Sequence, residues 1–178
     1  MIDNNYKVIN DVLPKDDFID VNNFLLSPKF PYYFNKSTDG KDNIEMFTHL
    51  IVNNFQITSE TYKFFSQKLI PLYKLVKDET TANTILRIKV NFYPKTIVNK
   101  LMGVHTDFPN SEIEYLTCVY SLDSSNGFTG LFINDKEIKI NSKANQLIMF
   151  DGKIKHYGTT ATDMNRLIVN FDFIKKVN

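Results

Sequence analysis

Two histidines and one aspartate of this chain have the types and the spacing of a metal-ligand set. His105 and Asp107 are two residues apart in MGVHTDF, and His156 follows the apolar segment NQLIMF after a short turn. Residues two apart on an extended segment point to the same side, with Cα atoms about 6–7 Å apart. An imidazole nitrogen and a carboxylate oxygen can then occupy neighbouring positions on one ion. A third ligand from His156 would leave half of an octahedral coordination sphere free.

Arg166 lies ten residues after His156 and is one of only two arginines in the chain. Its guanidinium can bind a carboxylate through two parallel hydrogen bonds, which a lysine cannot do. The intervening segment TTATDMN is rich in turn-forming residues, and we expect it to fold the two flanking strands into an antiparallel pair. Arg166 would then reach the cavity of His156 and hold the distal carboxylate of 2-oxoglutarate, whose other end would chelate the metal.

Up to about residue 77 the chain alternates helix-like and short strand-like segments, and from residue 85 onward it reads as short strands separated by turns. Residues 15–26, after Pro14, and residues 60–77, kinked at Pro71, have the pattern of helices. Strand-like segments rich in β-branched and aromatic residues are expected at 86–93, 113–122, 129–133, 136–140, 145–150, 154–158 and 166–173. This density of short strands favours a β-sandwich or barrel with one face covered by the helices.

The last strand, RLIVNFDF, alternates with a period of two. Its apolar face carries Leu167, Val169 and Phe171 together with Phe173, and the helices are expected on that side. Its other face carries Arg166, Ile168, Asn170 and Asp172, and is expected to look into a polar-lined pocket.

Taken together, HTD, MFDGKIKHYG and the arginine that opens RLIVNFDF resemble the prolyl 4-hydroxylase-like branch of the Fe(II)/2-oxoglutarate dioxygenases. The similarity runs from about residue 87 to residue 173 and includes VNFYP and TCVYSLDSSNGFTG. It implies a double-stranded β-helix, a jelly-roll or cupin-like core with helices on one face. It also implies His105, Asp107 and His156 as iron ligands and Arg166 as the residue that binds the distal carboxylate.

The same resemblance implies further contacts to 2-oxoglutarate. Tyr93 matches the tyrosine before the His-x-Asp strand, Asn170 lies on the strand face of Arg166, and Asn91 forms the Asn-x-Tyr pattern of the alkylated-base demethylases. Ser121 stands where prolyl hydroxylases often have a second tyrosine, so that it would act through a water or leave the co-substrate more weakly held. Val119 and Leu131 are expected to line the pocket. The implied cofactors are Fe(II), 2-oxoglutarate and O₂, with ascorbate as an optional reductant.

Composition limits the remaining possibilities. One domain is expected over residues 1–178, with a helix-containing part at 1–84 and the β-helix core at 85–175. A net charge of +1 and the lack of a long apolar run argue against general nucleic-acid affinity and against a membrane span. The single cysteine, Cys118, cannot form an internal disulfide, and a cytoplasmic protein is expected.

The leading function is hydroxylation of a substrate C–H bond, on a prolyl residue or on another peptide, protein or small molecule, coupled to decarboxylation of 2-oxoglutarate to succinate and CO₂. Two alternatives stay open from the sequence. One is oxidative demethylation of nucleic-acid bases, and the other is a non-catalytic β-barrel that binds a metal or a small acid. The sequence leaves the oligomeric state undetermined.

Overall fold

The computed structural model describes residues 5–38, 40, 42–110 and 112–175. Three helices occur there: α1 (Lys15–Leu25), α2 (Tyr62–Lys68) and α3 (Ile70–Glu79). Eleven strands occur in the same ranges: β1 (Tyr6–Ile9), β2 (Tyr33–Asn35), β3 (Met46–Asn53), β4 (Gln56–Ile57), β5 (Ala82–Tyr93), β6 (Tyr115–Ser121), β7 (Phe128–Ile133), β8 (Lys136–Asn141), β9 (Gln146–Asp151), β10 (His156–Gly158) and β11 (Arg166–Lys175).

The strands form two antiparallel sheets, which confirms the predicted jelly-roll core. The larger sheet has the order β1-β9-β6-β11-β5-β3-β2, with β4 paired to β3, and the smaller sheet has the order β10-β7-β8. One hydrophobic cluster joins the sheets, with Val119 and Ile168 from the larger sheet and Leu131 and Ile133 from the smaller one. Side chains between the two sheets therefore either fill this cluster or face a common cavity.

The helices cover the outer face of the larger sheet, as the alternation in β11 predicts. Leu167, Val169, Phe171 and Phe173 belong to the second cluster, together with Val21 of α1 and other buried helix residues. The α1 helix begins after Pro14 with two aspartates in its first turn, as expected. None of the described helices has both the length and the apolar composition needed to cross a membrane.

The predicted helix over residues 60–77 is divided in two. The α2 helix ends at Lys68 and α3 begins at Ile70, with Pro71 in its first turn. A proline lacks the N–H that a helix interior requires, but at the start of a helix that N–H has no partner to lose. Pro71 is therefore accommodated by a new helix start rather than by a kink.

The expected pairing of the strands that carry His156 and Arg166 is wrong. The β10 strand pairs with β7 in the smaller sheet, whereas β11 pairs with β5 and β6 in the larger one. The segment between them thus crosses from one sheet to the other instead of forming a hairpin. Both side chains still reach one cavity, because the inner faces of the two sheets oppose each other.

The N-terminal half contributes to the larger sheet as well as to its helical cover. The β1 strand pairs with β9 at one side, and β3 pairs with β5 at the other. The division into a part at 1–84 and a core at 85–175 remains a prediction.

Candidate active site

His105, Asp107 and His156 meet at one end of the cavity between the sheets. The main chains of the two histidines exchange both hydrogen bonds, each with an N–O distance of 2.9 Å. One candidate ligand atom from each of the three residues lies within 4.8 Å of the others. Nε2 of His105 lies 3.8 Å from Oδ1 of Asp107, and Nε2 of His156 lies 3.7 Å from Oδ2. These separations match three groups that point at one ion.

The hydrogen bonds of the two imidazoles fix which nitrogen faces this point. Nδ1 of His105 lies 2.8 Å from the carbonyl oxygen of Gly103, and Nδ1 of His156 lies 3.0 Å from that of Ile154. A carbonyl only accepts, so each Nδ1 carries the hydrogen, and each Nε2 presents a lone pair. Burial lowers the pKa of His156, which keeps its ring neutral. Neutral imidazoles with a free Nε2 are the form that binds a metal.

The carboxylate of Asp107 is held from behind by Arg87. Nη2 of Arg87 lies 2.5 Å from Oδ1 of Asp107, and the hydroxyl oxygen of Thr117 lies 3.4 Å from Oδ2. Burial opposes ionisation of Asp107, but the positive charge of the adjacent Arg87 outweighs it and holds the pKa of Asp107 at about 2. Asp107 is therefore an anion with one edge turned toward the histidines.

Arg87 also contacts a second carboxylate, that of Asp172. Its Nε donates to Oδ2 of Asp172 over 2.7 Å, and the hydroxyl of Thr117 donates to Oδ1 over 3.0 Å. Burial, followed by the charge of Asp107, raises the pKa of Asp172 to about 7. Arg87 thus bridges two buried carboxylates, one inside the candidate site and one behind it.

Arg166 lies at the other end of the cavity and is 1% exposed. Its Nε donates to Ser142 Oγ over 2.8 Å, Nη1 to the carbonyl oxygen of Thr159 over 3.1 Å and Nη2 to Thr129 Oγ1 over 3.0 Å. These three bonds leave one N–H on each terminal nitrogen, which is the fork that binds a carboxylate. No ion pair joins Arg166 to a carboxylate of the described residues. Burial lowers its pKa, and a buried guanidinium without a counter-ion is costly.

Two glycines leave the space that Arg166 occupies. A Cβ atom at Gly127 would lie 2.7 Å from Cδ of Arg166, and one at Gly158 would lie 3.1 Å from its Nη1. Gly158 pairs with Thr129, two residues along β10 from His156. The candidate metal ligand and the arginine pocket are thus about 7 Å apart along this strand.

The cavity between these two ends has a volume of about 270 Å³. Among the residues expected at the co-substrate, Tyr93, Asn91 and Asn170 line it, and so does Val119. Burial raises the pKa of Tyr93 to about 12, so its hydroxyl stays protonated and can donate. The side-chain oxygens of Asn91 and Asn170 have no hydrogen-bond partner among the described residues. The cavity wall therefore offers unused polar groups.

Two residues expected at the pocket do not line it. Leu131 is fully buried in the hydrophobic cluster between the sheets, where it packs instead of facing the cavity. Ser121 is also fully buried, and Ile168, its partner across the strands, lines the cavity at that level. The missing second tyrosine is therefore not replaced by a direct contact from Ser121.

Other lining residues were not predicted from the sequence. Arg87 is one of them, and its acidic partners are Asp107 and Asp172. Lys89 lines the cavity beside Arg87, and Thr38 and Met46 contribute from the N-terminal half. The sequence signal for Arg87 and Lys89 was the period-two alternation of β5, which puts residues 87, 89, 91 and 93 on one face. His49, in β3, does not line the cavity, and its Nε2 lies 2.7 Å from Ser59 Oγ.

No family model and no curated protein matches this sequence. Solved structures do match. A 2OG-Fe(II) oxygenase family member from Burkholderia pseudomallei has a TM-score of 0.79 at 14% identity, over 98% of this chain and 86% of that one. A prolyl hydroxylase from Trichoplax adhaerens, in complex with a hypoxia inducible factor peptide fragment, has a TM-score of 0.70 at 16% identity, over 97% of this chain and 84% of that one. HygX from Streptomyces hygroscopicus, with nickel and 2-oxoglutarate bound, has a TM-score of 0.66 at 10% identity, over 97% of this chain and 84% of that one.

The chain therefore has the fold of the 2-oxoglutarate and Fe(II) oxygenases, prolyl hydroxylases among them, as the sequence motifs predicted. At these identities the likeness shows the fold alone, since one fold can carry many activities.

Proposed function

We propose that this chain is an Fe(II)- and 2-oxoglutarate-dependent dioxygenase that hydroxylates a C–H bond of its substrate. The observation that carries the proposal is the pairing of two features in one cavity. One is the trio of His105, Asp107 and His156, and the other is the buried, unpaired guanidinium of Arg166. A metal-binding module needs only the first feature. A co-substrate with a chelating end and a distal carboxylate explains both.

The metal-binding end fits Fe(II) by the chemistry of its donors. Two neutral imidazole nitrogens and one carboxylate form a facial set with the remaining positions open, which suits a non-haem ferrous ion. When bound, the iron supplies the activation of O₂, coupled to conversion of 2-oxoglutarate to succinate and CO₂. The chain keeps His105 and His156 in the ligating tautomer through their Nδ1–H bonds, and Arg87 keeps Asp107 ionised and oriented.

The arginine end fits the distal carboxylate of 2-oxoglutarate. Ser142, Thr129 and the carbonyl of Thr159 hold the guanidinium in place, so its two remaining N–H groups are fixed before the ligand arrives. Tyr93 can donate its hydroxyl, and Asn91 and Asn170 offer side-chain amides. Ascorbate, as an external reductant, would keep the iron ferrous.

For the finer specificity we propose a prolyl residue, in line with the motifs HTD and MFDGKIKHYG and with the fold of the Trichoplax enzyme. Cytoplasmic localisation and a single domain over residues 1–178 also remain proposals.

The test is consumption of 2-oxoglutarate by the purified protein with Fe(II), O₂ and ascorbate, followed as succinate. Wild-type protein should form succinate even without its substrate, and His105→Ala should not. His49→Gln is a matched control, because His49 lies outside the cavity and should leave turnover intact. Saturable uptake of 2-oxoglutarate without succinate would instead identify a binding module and would refute the proposal.

A further inference from the structure

Lys89 lies in the middle of the cavity wall, on the inward face of β5. Its neighbours on that face are Arg87 and Asn91, and all three line the cavity. Across the strand pair it lies opposite Asn170 of β11, which lines the cavity too. The ammonium group therefore belongs to the same cavity as the proposed iron ligands.

Lys89 differs from Arg87 in having no partner. Arg87 contacts two carboxylates, whereas the ammonium group of Lys89 makes neither an ion pair nor a hydrogen bond with the described residues. Burial, followed by the positive charge of Arg87, lowers the pKa of Lys89, and the negative charge of Asp107 opposes this shift. An ammonium group in this position is stabilised by any anion that enters the cavity.

The charges of the proposed complex leave Lys89 unmatched. Arg87 contributes one positive charge, and the carboxylates of Asp107 and Asp172 contribute two negative charges. A ferrous ion and Arg166 together contribute three positive charges, and the carboxylates of 2-oxoglutarate contribute two negative charges. With Asp172 ionised, these groups are neutral as a set without Lys89. With iron and 2-oxoglutarate bound, the cavity thus carries at least one unpaired positive charge, that of Lys89.

The backbone of Lys89 lies at a different level of the cavity from that of Arg166. Arg166 pairs with Tyr93, which is four residues from Lys89 along β5. Four residues of a strand span about 13 Å between Cα atoms. The two cations therefore enter the cavity from separate positions along the strands.

We infer that Lys89 forms a second anion subsite, which binds a carboxylate of the substrate that is oxidised. This inference rests on the proposed function and narrows its substrate to compounds with a free or side-chain carboxylate near the reacting carbon. Asn170, whose Oδ1 is unpartnered, adds an amide that can turn its N–H₂ toward the same group. A prolyl substrate would then present its carboxylate, or that of an acidic neighbour, to Lys89.

The experiment uses protein loaded with Zn(II) and 2-oxoglutarate, which binds without turnover. The side-chain NMR signal of Lys89 is assigned by its absence in Lys89→Gln. Acetate and the neutral, similarly shaped acetamide are titrated into wild-type protein, Lys89→Gln and the control Lys136→Gln, whose lysine is exposed on β8 and does not line the cavity. The titrations are repeated without 2-oxoglutarate, and the affinity for 2-oxoglutarate is measured separately for each variant.

We expect acetate to shift the Lys89 signal saturably and to bind at least about tenfold more tightly than acetamide. Lys89→Gln should lose this preference while its 2-oxoglutarate affinity stays within about twofold of wild type, and Lys136→Gln should behave as wild type. Equal effects of acetate and acetamide on Lys89, or no effect of either, would overturn the inference. So would a tenfold loss of 2-oxoglutarate affinity in Lys89→Gln, because Lys89 would then serve the co-substrate. Failure of wild-type protein to bind 2-oxoglutarate would count against the proposed function instead.

Discussion

Replacement of Arg87 should weaken metal binding although Arg87 is not itself a ligand. In the metal-free protein its guanidinium contacts Asp107 over 2.5 Å and Asp172 over 2.7 Å, with only 14% of its side chain exposed. Two opposite effects follow from its removal. Asp107 loses the contact that orients it, but the site also loses a positive charge that repels a cation.

The two effects can be separated by comparing Arg87→Lys with Arg87→Gln. Lysine keeps the charge but cannot present two N–H groups in one plane to two carboxylates. Loss of an outer contact to a metal ligand typically costs 10–100-fold in metal affinity, so Arg87→Lys should bind metal about tenfold or more weakly. Arg87→Gln leaves both carboxylates without a counter-ion, and breaking such a buried pair costs about 3–5 kcal/mol of stability in the metal-free protein.

The assay is anaerobic competition for Fe(II) against a chromogenic chelator, with thermal unfolding of each metal-free variant alongside. Asp172→Asn is the matched control, because it removes the carboxylate behind Arg87 and keeps the contact with Asp107. Its metal affinity should stay within about threefold of wild type. Wild-type metal affinity in Arg87→Lys would show instead that only the charge of Arg87 matters and that its contact with Asp107 does not support metal binding.

Three further predictions concern other parts of the site and the core. Arg166→Lys should raise the KM for 2-oxoglutarate by about tenfold or more, because one bidentate charge-assisted contact is lost, and should leave Fe(II) affinity unchanged; a parallel loss of iron binding would contradict this role. Asp172 has a folded-state pKa of about 7 against an ordinary value of 3.8, so the folded protein retains a proton that the unfolded chain has released. The free energy of unfolding of the metal-free protein, measured in urea, should therefore fall relative to Asp172→Asn as the pH rises from about 4 to about 7, and a constant difference would argue against the raised pKa. Cys118 is fully buried and burial raises the pKa of its thiol, so iodoacetamide should modify it only after unfolding, as mass spectrometry can establish.

Local patterns in the sequence were sufficient for the strands of the second half, for the start of α1 and for the two faces of β11, but not for the division between α2 and α3. The alternation of RLIVNFDF correctly separated the helix-covered residues from the cavity residues, because side chains on a strand alternate regardless of which strands pair with it. The connection between the strands expected at 129–133 and 136–140 is equally local, because Asn134 and Asp135 both have positive φ values there, which these residue types tolerate.

Local patterns did not predict which distant segments of the chain pair with each other. The position of β10 in the smaller sheet depends on β7, and no feature of the residues between His156 and Arg166 distinguishes a sheet crossing from a hairpin. The partners of Arg87 depend on the register that sets β5 against β11, where Arg87 and Asp172 are opposite each other. Thr38 and Met46 reach the cavity only because β3 extends the same sheet.

The proposed activity requires that one ion is held by His105, Asp107 and His156 while the co-substrate reaches from it to Arg166. The most direct measurement is a crystal structure of the protein prepared anaerobically with Fe(II) and 2-oxoglutarate, with the iron located by anomalous scattering. We predict one iron peak within bonding distance of both Nε2 atoms and of a carboxylate oxygen of Asp107, and a 2-oxoglutarate carboxylate on the guanidinium of Arg166. Iron at another position, or any one of these three side chains directed away from the iron, would contradict the proposed metal site.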